Sequence, residues 1–466
     1  MTRFRSVYII SFVIISSIMM SLLVAQGRLR SIVIISTAIL FIIMVTVDKR
    51  IKLWLFLVGI FLSLFAPVMM PYGITLGEIL LAALFVDLFI EDILENHSSL
   101  AIKRIVKSIP FVLFAGYSLI VNMMHGDFAY WHGVSFVPLV CVYISMTLVE
   151  NEKRAWAVVK IALLVILGFL FLLLLADITG RIVITSGEAW RLGGVKFAFG
   201  PLVYQLYSVH LGGLVSLGVP ALILMLMRSK VRWYFRFIYG ALIIVCFIIL
   251  VLTAARGPFI GALVAAALTI LLSFRLRKVA IFLMVIAILI IFILPFWTLI
   301  FPAKNILLSL ARFSELQNLN TVDTFIYRQN IYAVTLKGVM QNPFGYGYDY
   351  LWNKYGFIDE ANIYTPLING TGIIGFALFV IMLCQLAWTF LSAFLRANNE
   401  LLHDFAILGI CTLVAELISG ISAHNIIIWP RDSIVFWSIL SACYAFLLNN
   451  RQKISQGFQK AKERLS

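Results

Sequence analysis

The sequence predicts an all-α, polytopic integral membrane protein of about 12–14 transmembrane helices, with one large extracytoplasmic loop that contains short helices. Three observations carry that expectation. Apolar residues make up 62% of the 466-residue chain and charged residues only 12%, where an ordinary soluble domain carries roughly 25% charge. Apolar runs of about 20 residues, the length that crosses a hydrocarbon core, recur from one end of the chain to the other. One stretch, Phe301 to Pro366, breaks the pattern: it holds Arg312, Arg328, Lys337, Lys354, Glu315, Asp323, Asp349, Asp359 and Glu360 among tyrosines and Pro-Gly punctuation.

Taken in order, the apolar spans fall near 6–25, 31–47, 53–70, 75–91, 108–124, 134–149, 155–177, 209–228, 237–254, 257–274, 279–301, 367–391, 405–421 and 433–449. Ser6–Gln26 is long enough to span, so it reads as the first helix and not as a cleavable signal. With Arg3 and Arg5 inside, the even-numbered connections are cytoplasmic. They carry Lys49/Arg50/Lys52, Lys103/Arg104/Lys107, Lys153/Arg154, Arg228/Lys230/Arg232/Arg236, Arg275/Arg277/Lys278 and Arg396, as the positive-inside rule requires. The Gly27-Arg28-Leu29-Arg30 turn departs from that rule.

The chain divides into a transmembrane bundle (1–301), an extracytoplasmic loop subdomain (302–366), C-terminal transmembrane helices (367–449) and a basic cytoplasmic tail (450–466). The formal charge of +15 is spread over short loops between spans, which argues for membrane topology and lipid contact and against nucleic acid as a partner. Cys141, Cys246, Cys384, Cys411 and Cys443 all lie in apolar segments without CxxC spacing, so neither a disulfide framework nor a metal site is expected.

On the outward face, arginines stand in confined places. In Thr253-Ala254-Ala255-Arg256-Gly257-Pro258-Phe259-Ile260-Gly261, two spans meet with almost no loop. Pro258 suits the first turn of the second helix, and Gly257, Gly261 and Ala265 form a small-residue face for close packing. Arg256 therefore sits at an outward helix N-terminus. Free N–H groups and the positive dipole end favour an anion there, and the guanidinium adds a bidentate phosphate contact. Trp190-Arg191-Leu192-Gly193-Gly194 offers a second phosphate contact with closely approachable backbone. The alternative for each is a lipid-headgroup anchor.

Within the long loop, the spacing predicts one helix over Ala303–Asn320, lying on the membrane. A second is predicted from near Thr321, with Asp323 in its first turn, to about Gln341 before Asn342-Pro343. On that second helix Phe325, Arg328 and Tyr332 share a stripe. Phe344-Gly345-Tyr346-Gly347-Tyr348 makes an aromatic turn whose ring faces and polar tips suit a sugar chain. His424, beside Asn425, is either a proton acceptor or a hydrogen-bonded helix-end histidine, and Arg431 and Asp432 are a potential mutual pair.

The order of these features resembles the O-antigen ligase and O-antigen polymerase superfamily of membrane glycosyltransferases. The matching pieces are Arg191-Leu192-Gly193-Gly194, the Ala255-Arg256-Gly257 hairpin, and Arg328 on a helix leading to Asn342-Pro343-Phe344-Gly345-Tyr346-Gly347. Asn362-Ile363-Tyr364 and Gly372-Ile373-Ile374-Gly375 follow. The resemblance covers roughly Arg191 to Trp437. One departure matters: ligase-like members place a His before the Asn and an acid near the following helix start, where this chain has Ala361 and Gly370.

The resemblance implies transfer of a glycan from an undecaprenyl diphosphate carrier at the outer face of a bacterial cytoplasmic (inner) membrane, without metal or cofactor. It implies a polymerase that extends another lipid-linked repeat unit, with a chain-length regulator and a flippase as partners. The alternatives are a ligase acting on lipid A-core and a polysaccharide flippase. Arg191, Arg256 and Arg328 are the expected diphosphate ligands. Tyr346, Tyr348, Asn362 and Tyr364 are the expected glycan contacts. Asp359, Glu360 and His424 are the candidates for the acceptor-side base.

Overall fold

The computed structural model describes residues 47–65, 76–94, 99–125, 132–178, 182–184, 195–199, 202–206, 208–228, 231–253, 255–273, 323–348, 362–397, 399–421 and 430–450. These form twelve α-helices: α1 Lys49–Phe65, α2 Leu76–Leu94, α3 Ser99–His125, α4 Val137–Leu148, α5 Glu152–Ile178, α6 Ser208–Met227, α7 Trp233–Leu252, α8 Arg256–Leu272, α9 Asp323–Gln341, α10 Tyr364–Arg396, α11 Glu400–Ser419 and α12 Pro430–Asn449. Eleven of them coincide with expected spans, and α9 is the predicted loop helix. The spans expected near 6–25, 31–47 and 279–301, and the helix expected over 303–320, lie outside the described residues. Six described helices are long and apolar enough to cross a membrane. The protein is a multi-pass helical membrane protein.

A small departure from the all-helical expectation lies between α5 and α6. There β1 Ile182–Ile184, β2 Val195–Phe199 and β3 Leu202–Leu206 form an antiparallel sheet in the order β1-β2-β3. Val195 pairs with Leu206 and Phe199 with Leu202, so only Gly200 and Pro201 separate the paired ends of β2 and β3. No span is expected between 177 and 209. Val195-Lys196-Phe197-Ala198-Phe199 and Leu202-Val203-Tyr204-Gln205-Leu206 are too short to register as spans, but their β-branched and aromatic residues around a turn suit a hairpin.

The helices alternate in direction, and contacts at their ends reveal it. At one end, Lys52 Nζ of α1 sits 2.7 Å from Asp87 and 2.8 Å from Glu91 of α2. Arg104 of α3 lies 3.2 Å from Asp92, which also accepts a 2.8 Å hydrogen bond from the Tyr143 hydroxyl of α4. Arg228, just past α6, pairs with Glu152 of α5 at 2.6 Å, and Asn449 Nδ2 donates to Val149 O at 2.9 Å. The starts of α1, α3 and α5 thus meet the ends of α2, α6 and α12. This is the lysine- and arginine-rich end that the charge count assigns to the cytoplasm. Lys52 and Asp87 are both buried, so removing either partner would leave a buried charge.

The core is built around α12. Its apolar window is 89% buried, against 33% for α7 at the periphery. A helix apolar on every side belongs inside the bundle, and Phe436, Trp437 and Tyr444 are fully enclosed there. The predicted small-residue face of α8 is also realised. Gly257, Gly261 and Ala265 are buried, and a Cβ on Gly261 would lie 2.6 Å from Ala415 O of α11. Only a residue without a side chain allows these two helices so close.

Candidate active site

Opposite the ion-paired end, the chain between α9 and α10 forms a clasp. Asn342 stops α9 and folds the turn behind it: its Nδ2 donates to Gly345 O at 2.6 Å, and its Oδ1 accepts from Phe344 N at 3.2 Å. The turn then pairs with the first turns of α10. Tyr346 N donates to Asn369 O at 2.8 Å, Gly347 N to Gly370 O at 3.1 Å, and Ile373 N to Pro343 O at 2.9 Å. Asn369 Nδ2 reaches back to Thr335 Oγ1 of α9 at 2.8 Å.

Such pairing requires α10 to break its own helical ladder, and it does so at Gly372 (φ 66°, ψ −171°). The Pro-Phe-Gly-Tyr-Gly run and the Gly372 break are therefore two halves of one interlock.

Tyr348 ends the clasp inside the bundle. It is 2% exposed, with its hydroxyl 3.1 Å from Ser118 Oγ of α3 and 3.3 Å from Ser135 Oγ. Ser135 lies in a π-helical turn, His132–Phe136, ahead of α4. Ser135 donates to Ser118 Oγ at 2.7 Å, and Asn122 Oδ1 accepts from Tyr348 N at 3.3 Å. The sequence expected Tyr348 to face glycan; its ring and hydroxyl are instead turned into protein. Tyr346 is half-buried, and its ring lies 6.3 Å from that of His125 at the end of α3. Tyr348→Phe should cost about 1 kcal/mol, the net worth of one buried hydrogen bond. In detergent that lowers the melting temperature by a few degrees while membrane insertion stays unchanged; an unchanged melting temperature contradicts the anchoring role.

Asn362 caps the start of α10, its Oδ1 accepting from Tyr364 N and Thr365 N, both at 2.8 Å. Tyr364 donates its hydroxyl to Leu417 O of α11 at 2.8 Å, and Ile363 N donates to Gly420 O at 3.0 Å. The Asn-Ile-Tyr segment is thereby bound to the C-terminal end of α11.

Arg256 opens α8 after the extended residue Ala255 (φ −88°, ψ 96°). Pro258 contributes no N–H in the first turn, where helical partners are lacking anyway. Gly212 of α6 packs against this corner: a Cβ there would lie 3.1 Å from Pro258 and 3.2 Å from Ala255. Arg256 is half-buried, and α8 runs from it along α11 past Gly261.

The clasp, Asn362, Tyr364 and Arg256 therefore share one end of the bundle. Arg328 lies on α9, with only its backbone described, seven residues before Thr335. Arg191, Glu360 and His424 lie outside the described residues.

A family model described as O-Antigen ligase matches residues 241–380. This region is similar to that family and supports the resemblance to the O-antigen ligase and polymerase superfamily. It runs from α7 through Arg256, Arg328 and the clasp into α10, so it contains most of the groups just described. Members of the superfamily are membrane glycosyltransferase-like enzymes. A search of curated proteins matches none to this chain.

Sequence reasoning passed over Thr335, Ser118, Asn122 and Ser135, short polar side chains that gain meaning only from partners distant in the chain. It also passed over Glu416. The signal for Glu416 was present: a carboxylate within an apolar run of membrane length is a functional hypothesis in its own right.

Proposed function

We propose that this protein is a surface-polysaccharide polymerase. It transfers a glycan from undecaprenyl diphosphate to the non-reducing end of a second lipid-linked repeat unit at the outer face of a bacterial cytoplasmic membrane. As the anomeric C–O bond breaks, negative charge grows on the diphosphate leaving group. A guanidinium fixed at a helix N-terminus stabilises that charge with little reorganisation. Arg256 fills this role, with Arg191 and Arg328 as further diphosphate ligands. An arginine suits it better than a lysine because its planar fork meets two phosphate oxygens at once. Tyr346, half-exposed beside His125, is the glycan contact of the clasp. In this reading a chain-length regulator and a flippase act alongside the enzyme.

The observation that carries polymerase over ligase is the packing at Gly370. Ligase-like members have an acid there, and here a Cβ would lie 2.4 Å from Tyr348 Cδ1. The ring of Tyr348 occupies the room an acidic side chain needs, and Ala361 offers no base before Asn362.

Deleting the gene from its native host tests the reading. A lost polymerase leaves surface glycolipid capped with single repeat units, and complementation restores the ladder. Full-length polymer accumulating on the lipid carrier would instead identify a ligase. Repeat units confined to the cytoplasmic leaflet would identify a flippase.

A further inference from the structure

Thr412, Glu416 and Ser419 stand four and seven residues apart on α11, so they share one face of that helix. The same face meets α8, since a Cβ on Gly261 would approach Ala415 O at 2.6 Å and Ser419 N at 3.3 Å. The opposed side of α8 offers Gly257, Gly261 and Ala265, whose lack of bulk brings the two helices into close contact beside the polar side chains. Thr412 is 0% exposed, and Glu416 and Ser419 are each 1% exposed. Thr412 Oγ1, Glu416 Oε2 and Ser419 Oγ have no hydrogen-bond partner among the described residues.

The neighbouring segment repeats the pattern. Asn362 Nδ2 and Thr365 Oγ1 are likewise buried and without a partner among the described residues. Their segment is tied to this end of α11 through Ile363 N to Gly420 O and through the Tyr364 hydroxyl to Leu417 O. Asp432 is the acid in the first turn of α12, a helix that packs against α11.

Leaving one buried polar atom unpaired costs about 1–3 kcal/mol, and the large majority of such atoms in proteins are paired. A cluster of them at one corner marks a place built for a polar guest. A lipid tail satisfies none of these groups. A sugar is chemically suited to such groups, because its hydroxyls both donate and accept: carboxyl and hydroxyl oxygens accept from it, and Asn362 Nδ2 donates to it. Arg256 begins α8 five residues before Gly261, roughly 7.5 Å further along by the helical rise. It therefore caps the α8–α11 seam beside which Glu416 stands.

We propose that Glu416 is the catalytic base for the acceptor, with Ser419, Asn362 and Thr365 holding the acceptor sugar. The assignment rests on the glycosyl-transfer reading above. In the step it describes, the acceptor hydroxyl gives its proton to Glu416 Oε2 while its oxygen forms the new bond to the anomeric carbon. The anomeric bond to phosphate breaks, and its electron pair leaves on the diphosphate oxygen beside Arg256. Glu416 thereby supplies the base that is missing at Ala361.

The test uses the full-length protein, purified in detergent or nanodiscs, with a lipid-linked repeat unit as both donor and acceptor. Glu416→Gln keeps the shape of the side chain and removes its basicity. It should fold, retain the wild-type melting temperature and still be stabilised by the lipid-linked unit, while polymer formation falls about 10²–10⁴-fold, the usual contribution of a general base. Polymer formation within about threefold of the wild type overturns the assignment, because a base worth that little is not one. Should Glu416→Gln fail to fold, Glu416→Asp serves in its place. Its carboxylate, one methylene shorter, should lose roughly tenfold or more through misplacement, and wild-type rates there overturn the proposal equally. A wild-type protein that makes no polymer in the same assay overturns the polymerase reading itself, and the base with it.

Discussion

Arg256→Ala should give a folded, membrane-inserted protein that forms no polymer beyond a single repeat unit, with a rate at least about 10²-fold below the wild type. Removing one preorganised charge donor from a developing anion typically costs that much or more. The loss should lie in the chemical step and not in folding, because Arg256 caps the corner while the α8–α11 contact depends on Gly261 and its small neighbours. Arg256→Lys retains the charge but loses the second N–H contact. Its rate should fall roughly tenfold, the worth of one charge-assisted hydrogen bond. Polymer length on gels, measured beside membrane content and melting temperature, reads both variants. Normal chain lengths in Arg256→Ala would mean that the guanidinium serves only as an interface anchor.

Gly372→Ala should be the most destabilising small substitution at this end of the bundle. The residue has φ 66° and ψ −171°, a region that residues with side chains rarely adopt. A Cβ there would also stand 2.1 Å from Pro343 O, the acceptor of the Ile373 N–H. Strain, collision and the lost hydrogen bond together should exceed about 3 kcal/mol, opening the clasp and abolishing activity with it. Gly116 on α3 provides the comparison, since nothing lies within 4 Å of a Cβ built there. Gly116→Ala should be neutral or slightly stabilising by helix propensity. Detergent melting curves of the two variants decide the matter: equal melting temperatures would mean that the interlock between the clasp and α10 contributes nothing.

The spans were readable because one physical rule, the length of apolar chain needed to cross hydrocarbon, acts on local sequence alone. The boundaries of α9 were equally local: Asp323 in the first turn and Asn342-Pro343 at the end determine them without help from the rest of the chain. The clasp was not readable, because its bonds join Tyr346 to Asn369 and Tyr348 to Ser118 across long stretches of sequence. Its tyrosines, identical in a sequence pattern, separate only when the fold turns Tyr348 inward and leaves Tyr346 half-exposed. The strands near Arg191 escaped notice because each is no longer than five residues. Glu416 was hidden by its setting, an acid counted as part of an apolar helix although its burial there is what makes it chemically interesting.

The central claim is that this chain builds a glycan polymer by itself from a carrier-linked repeat unit. It is tested most directly by incubating the purified wild-type protein with the undecaprenyl-diphosphate-linked repeat unit alone and resolving the products by length. A ladder of carrier-linked oligomers, absent with Arg256→Ala, is the result expected. Unextended repeat units that become attached only when lipid A-core is added would contradict it.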